Sequence, residues 1–205
     1  MFSIRGVTPS NPFVLAPLDG YSDLAFRIVC RRNGCGLNFS EMIPAIALTF
    51  HGKDACRRMR VSPEEGPVAV QIVGSREAVM AEAARVVEAA GAGLVDVNAG
   101  CPSRRVTNGG SGAALLSDLP LLARILAAVR AAIRVPVTLK IRSGPSSGRY
   151  VIEDVARIVD DTGVDAVTIH PRTRAQGFKG SADWSLIARW RDRFRVPVIG
   201  NGDVT

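Results

Sequence analysis

Seven times along the chain a short apolar run stops at a polar residue, a proline or a polar turn, and most of these runs are followed by a stretch with helical spacing. The runs cover residues 12–17, 37–41, 68–71, 94–98, 137–142, 166–170 and 198–203. As continuous apolar runs they read as strands covered on both faces, since a strand with one wet face alternates apolar with polar side chains. Between them the period lengthens. Val79, Ala83, Val86, Val87 and Ala90 fall on one helix face, as do Leu119, Leu122, Leu126, Val129 and Ile133. Val151, Val155, Ile158 and Val159 repeat the pattern. Gly91, Gly93 and Gly163 stand where helix C-terminal glycines are expected. Strand and helix alternating with such short connections predict a parallel sheet with right-handed crossovers.

The strands recur at intervals of roughly thirty residues with no nucleotide glycine fingerprint after the first, which favours an α/β fold of the (β/α)8 TIM-barrel type over an open doubly wound sheet. Such a barrel takes ~250 residues. The 205 residues here hold about seven βα units as one domain, 1–205, so an incomplete barrel lacking its eighth strand is expected. No apolar run approaches the ~20 residues that span a bilayer, and residues 1–20 show no leader pattern. A cytoplasmic protein without membrane contact is the expectation. Cys30, Cys35, Cys56 and Cys101 form no CxxC pair and no metal-ligand spacing with His51 and His170, so reduced thiols and no metal are expected.

The residues that end the runs carry the chemistry. They are Pro17, Glu41, Gln71, Asn98, Lys140, His170 and the turn Asn201-Gly202-Asp203. In a parallel barrel these ends surround one mouth. Amide, ammonium and imidazole groups gathered there suit a flat polar cofactor with carbonyls and ring nitrogens. Lys140 admits three readings of comparable weight: a charge that stabilises a developing anion, a Schiff-base lysine, or a partner for Glu41 or Asp203. Cys101 follows the fourth strand on a loop with Asn98, Gly100, Pro102, Ser103, Arg104 and Arg105. A free cysteine is usually a small apolar filler, but this one has polar, backbone-constrained company. A formal charge of +7 favours a polyanionic partner without establishing one.

Several stretches, in order and across nearly the whole chain, resemble the tRNA-dihydrouridine synthase family, FMN-dependent barrels that reduce uridine in transfer RNA. The first are Ala16-Pro17-Leu18-Asp19-Gly20 with Phe26-Arg27, Ser40-Glu41-Met42, and Asn98-Ala99-Gly100-Cys101-Pro102. Pro136-Val137-Thr138-Leu139-Lys140-Ile141-Arg142 and His170-Pro171-Arg172-Thr173-Arg174-Ala175-Gln176-Gly177 follow. Lys179-Gly180-Ser181-Ala182-Asp183-Trp184 and Pro197-Val198-Ile199-Gly200-Asn201-Gly202-Asp203 complete the series. Leu18 replaces the family's usual methionine, Asp19 is unusual there, and Ser40 stands where threonine is common. The family's eighth strand, its glycine-arginine phosphate grip and its C-terminal helical RNA-binding domain are expected beyond residue 205.

The resemblance implies roles. Pro17, Leu18 and Asp19 line the flavin, Gln71 bonds the isoalloxazine edge, and Lys140 lies near N1 and the C2 carbonyl. His170, Asn201, Gly202 and Asp203 hold the ribityl and phosphate parts. NADPH, or NADH, reduces the flavin, hydride passes to uracil C6, and Cys101 gives a proton to C5. Thiols have an ordinary pKa of about 8.5 and so stay protonated at neutral pH, which suits a general acid. Asn98 either bonds the uracil edge or holds its own loop. Arg104, Arg105, Arg172, Arg174 and Lys179 are placed on mouth loops to hold tRNA phosphates around a base turned out of its stack. Lys53, Arg57, Arg58 and Arg60 form a second basic cluster, read as a solvated loop between the second and third strands. Cys30, Cys35 and Cys56 are read as structural, Trp184 and Trp190 as packing a helix onto the barrel, and the protein as a monomer. Two other readings stand beside this one: an FMN barrel of the dihydroorotate-dehydrogenase type acting on a free small molecule, and an inactive truncated chain that binds RNA or flavin weakly.

Overall fold

All seven runs form strands, and these pair in parallel in chain order. The computed structural model describes residues 2–204. Its elements are β1 (Val14–Leu15), α1 (Leu24–Arg32), β2 (Leu37–Pro44), α2 (Ala45–Thr49), α3 (Lys53–Arg58), β3 (Val68–Val73) and α4 (Glu77–Ala89). They continue with β4 (Leu94–Ala99), α5 (Arg104–Thr107), α6 (Leu119–Ala132), β5 (Val137–Arg142), α7 (Ile152–Thr162), β6 (Ala166–His170), α8 (Trp184–Trp190) and β7 (Val198–Gly200). The sheet curls until its two edges approach. Leu15 and Pro17 from the first edge line one crevice with Ile199 and Asn201 from the last, although no ladder joins β1 to β7 among the described residues.

The outer face of the sheet is the main core. Val70, Ile72, Val95, Val97, Leu139, Ile141, Val167 and Ile169 are fully buried against Met80, Ala83 and Val87 of α4, Leu122, Leu126 and Val129 of α6, and Val155 and Val159 of α7. Each such Val, Leu or Ile contributes about 1.5–3 kcal/mol by leaving water. The inner face is different. Its lower level is a small apolar cluster of Leu37, Phe39, Ala69, Leu94 and Ala166, closed from below by Ile4. Ile4 arrives on a tight N-terminal turn in which Ile4 and Val7 exchange backbone hydrogen bonds of 2.8 and 2.9 Å.

Above that floor the interior turns polar. Strand register sets Gln71, Asp96 and Thr138 side by side, then Asn98, Lys140 and Thr168, then Arg142 and His170. The reading of continuous apolar strands is therefore corrected. These strands are buried on both faces; the outer face is apolar, while the inner face above its apolar base is polar, at alternate positions in β4, β5 and β6 and at Gln71 in β3.

Boundaries differ where loops take over from strands. The run 12–17 contributes only Val14–Leu15, the run 198–203 only Val198–Gly200, and the second strand passes Glu41 to end at Pro44. The second basic cluster does not lie on a plain loop, since α2, α3 and a 3-10 turn at Pro63–Glu65 occupy that span. α1 begins where the Asp23 carboxylate accepts from the Phe26 amide, and α7 ends at Gly163 in the left-handed conformation, φ 71°. Gly93 is not of that kind. A β-carbon there would come within 3.0 Å of Pro67, so it permits a close backbone approach. Trp190 is buried on the barrel as expected, whereas Trp184 is 43 % exposed and its indole N–H donates to the Gly202 carbonyl.

Arg27 and Glu65 form a fully buried pair, Nε to Oε2 2.6 Å. The guanidinium also donates to the carbonyls of Ser22 and Arg60, and Glu65 accepts from the Ser62 amide. This cluster ties α1 to the segment leading into β3.

Candidate active site

The loop after β4 is held from two sides. Asn98 Oδ1 accepts the backbone N–H groups of Gly100 and Cys101 at 3.1 and 2.9 Å. Opposite, Arg142 Nε donates to the Gly100 carbonyl at 2.8 Å. The same guanidinium donates to the carbonyls of Thr173 and Gly177 on the loop after β6, and its flat face lies 5.3 Å from the Phe178 ring centre. One buried arginine thus ties the Cys101 loop to the loop carrying Arg172 and Arg174. Sequence reasoning gave Arg142 no role. Its signal was the two-residue period of Thr138, Lys140 and Arg142, which puts all three on one strand face.

Lys140 Nζ donates to Asn201 Oδ1 at 2.8 Å. Burial pushes its pKa down to about 8 and Arg142 adds to this, while Asp96 and Cys101 oppose it. Its hydrogen-bonded partner is thus neither of the carboxylates expected. Burial pulls His170 down to about 3, reinforced by Lys140, Arg142 and Arg172, so the imidazole is neutral at physiological pH. Its Nε2 faces Arg172 Nη1, a donor, at 3.2 Å, which places the ring proton on Nδ1. Burial and the neighbouring Arg172 also lower Arg142, to about 10.

Arg172 stands apart from the other rim arginines. It is buried and held by both oxygens of Asp203, at 2.9 and 2.8 Å, so it belongs inside with His170 rather than on the surface with phosphates. Its Nε has no partner among the described residues. Gly202 presses so closely on His170 that a β-carbon there would come within 2.8 Å of the ring. Gln71 lies deeper than the rim, donating to Asp96 Oδ2 at 2.6 Å and accepting from Asn98 Nδ2 at 2.8 Å. Leu18 is half-exposed on the loop after β1, and its N–H donates to the Ser22 hydroxyl. Arg104 is exposed and Arg174 half-buried.

A cleft of about 770 Å³ opens beside Cys101 and runs over the loops after β2, β3 and β4, past Arg58, Arg76, Ser103 and Arg105. Neither Lys140 nor His170 lines it; they occupy the barrel centre next to it. Arg58 was missed as a mouth residue. α3 folds back over the barrel, and Arg58 reaches Asp19 at 2.7 Å and Glu41 at 3.4 Å, while Glu41 also accepts from the Gly20 amide at 2.9 Å. Only a tertiary contact could reveal this, because the sequence shows no more than a basic run. Among the described residues no group of three His, Cys, Asp or Glu could hold a metal, and no helix is long and apolar enough to cross a membrane.

Fold and site together define a parallel α/β barrel whose thiol, ammonium and neutral imidazole gather at the C-terminal ends of its strands. Two solved structures share the fold at 15% identity. Histamine dehydrogenase from a Rhizobium species aligns with TM-score 0.70 over 95% of this chain and 40% of its own. The 6-hydroxypseudooxynicotine amine oxidase of Pseudomonas geniculata aligns with TM-score 0.72 over 98% and 42%. The family model described as "Dihydrouridine synthase (Dus)" matches residues 14–205, and the chain belongs to that family. It is 38% identical to a probable tRNA-dihydrouridine synthase of Rickettsia bellii, covering 100% of this chain and 63% of the relative. It is 42% identical to tRNA-dihydrouridine synthase B of Xanthomonas axonopodis, covering 93% and 58%. The chain thus spans about three fifths of the length of the curated relatives it matches.

Proposed function

We propose that this chain is the catalytic barrel of an FMN-dependent tRNA-dihydrouridine synthase, reducing a uridine of tRNA to 5,6-dihydrouridine at the expense of NADPH. The observation that carries the reading is the Cys101 loop, fixed through Asn98 and Arg142 beside Lys140, in a chain of this family. The interior fits an anionic, carbonyl-rich cofactor. Asp96 lies near Lys140 and Asp203 holds Arg172, while Arg142 donates to backbone carbonyls, and among the described residues the Arg172 Nε donor has no partner. FMN bound here supplies the hydride chemistry.

The protein's part is to orient and to move one proton. Gln71 and Lys140 hold the ring portion, with Pro17, Leu18 and Asp19 on the loop after β1 forming one wall. His170, Asn201, Gly202 and Asp203, with Arg172 locked among them, hold the ribityl and phosphate portions. The Lys140 ammonium would set a positive charge beside the ring portion of a bound flavin. Cys101 Sγ–H gives its proton to uracil C5, and Asn98 keeps the thiol's main chain in place. The exposed Lys53, Arg76, Arg104 and Arg105 make no hydrogen bond or ion pair through their side chains among the described residues, and with the half-buried Arg174 they hold the RNA backbone around the base.

The test compares the parent and Cys101→Ala chains, loaded with FMN and given NADPH and an unmodified tRNA transcript. The expected result is flavin bleaching in both and loss of most dihydrouridine in the variant. Equal product yields would remove the proton-donor role, and absence of flavin bands in the parent would remove the cofactor assignment.

A further inference from the structure

Asp96 is fully buried at mid-depth in the barrel, and nothing above gives it a part in the reaction. Its Oδ2 accepts from Gln71 Nε2, Gln71 Oε1 accepts from Asn98 Nδ2, and Asn98 Oδ1 accepts from the Gly100 and Cys101 amides. Its Oδ1 accepts from the Thr138 hydroxyl. The direction of this series is forced. An ionised carboxylate only accepts and a backbone N–H only donates, so the two side-chain amides between them have one orientation that satisfies every link.

We infer that Asp96 is a positioning residue: by anchoring Gln71 it fixes both side-chain amides, and through Asn98 it steadies the main chain of the Cys101 loop. Each amide then retains one uncommitted N–H and presents a donor, the complement of a carbonyl oxygen on a flavin or a uracil. The importance of a steady thiol rests on the function proposed above, whereas the series of bonds does not. Burial raises the Asp96 pKa to about 6, against the pull of Gln71, Thr138 and Lys140, so at neutral pH it is chiefly the acceptor the series requires.

A second account gives Asp96 only a charge role, as counter-ion to Lys140, and the two part at Asp96→Asn. An asparagine can turn its oxygen to Gln71 and its amide to the Thr138 hydroxyl, preserving the series without the charge. Asp96→Leu removes both acceptors, and Gln71→Met cuts the series at its middle. The experiment is hydrogen–deuterium exchange of the Gly100 and Cys101 amides at pH 7 in the ligand-free chain, alongside kcat for dihydrouridine formation.

Asp96→Leu and Gln71→Met are expected to speed exchange on the order of tenfold, the equivalent of about one hydrogen bond, with kcat falling in parallel. Asp96→Asn is expected to stay within about twofold of the parent in exchange, the margin of a weakened rather than a lost bond. Should Asp96→Leu fail to fold, Gln71→Met against Asp96→Asn makes the same comparison. Unchanged exchange in Gln71→Met, or Asp96→Asn behaving like the severed variants, would overturn the inference. A parent without flavin reduction or product, but with the expected exchange pattern, would instead remove the functional reading and leave the positioning role standing.

Discussion

Lys140 Nζ and Asn201 Oδ1, 2.8 Å apart, join β5 to the loop after β7 across the inside of the barrel. That bond holds an ammonium group where burial opposes its charge, so the site is maintained against the stability of the fold. The folded pKa of about 8 lies below the ordinary 10.5, and the unfolded chain therefore binds more protons between those values. Stability rises with pH across that window, and the penalty is fully present below pH 8. Lys140→Met is expected to melt at a higher temperature than the parent at pH 7, with the gap closing toward pH 10. Flavin affinity and dihydrouridine formation should fall together. Calorimetry across the pH range checks the first outcome and flavin titration the second.

His170 is held neutral, with a folded pKa of about 3 against an ordinary 6.5. Between those values the unfolded state takes a proton that the folded state refuses, so stability drains away as pH falls through the window, at up to about 1.4 kcal/mol per pH unit from this residue. The ring resonances of His170 should not shift between pH 8 and 4.5. A titration in that range, followed by proton NMR and assigned with His170→Gln, would contradict the environment described.

Arg142 holds three carbonyls on two loops, which a lysine ammonium on its flexible stem cannot reproduce. Arg142→Lys is expected to lower kcat by about 10²-fold, since small misplacement of a reacting group has that cost. It should also open the segment around Phe178 to proteolysis. Steady-state kinetics and limited digestion with chymotrypsin read the two effects.

Arg27→Met leaves Glu65 buried without its partner, although neither residue touches the site. The expected loss of stability is about 3–5 kcal/mol, the range for stranding one member of a buried ion pair. Urea unfolding of parent and variant measures it. A loss much below that range would mean that Glu65 takes up a proton or finds another donor.

The barrel class, the helices at residues 77–89, 119–132 and 152–162, and most of the mouth were legible because they rest on local periodicity and on where strands end. Asn98, Lys140 and His170 announced themselves as polar ends of apolar runs. The interior layer of Gln71, Asp96 and Thr138 was less visible, since a polar residue flanked by valines, as in Val95-Asp96-Val97, resembles an interruption. Only the shared alternation of four neighbouring strands shows it to be a face. Arg58 and Arg172 were misread for another reason. On a loop a basic residue looks like a solvated charge, as Arg58 did, or a phosphate contact, as Arg172 did, until the fold shows Glu41 and Asp19, or Asp203, beside it.

The stopper formed by Ile4 beneath Leu37, Phe39, Ala69, Leu94 and Ala166 closes the floor of the barrel below the polar interior. A molecule that meets Cys101 and Lys140 comes to them from the side of the loops that follow the strands, not through that floor. Under the function proposed above, a nicotinamide dinucleotide and an everted nucleotide would need the same few ångströms beside Cys101 and Lys140, and double-reciprocal plots of rate against each should then give parallel lines.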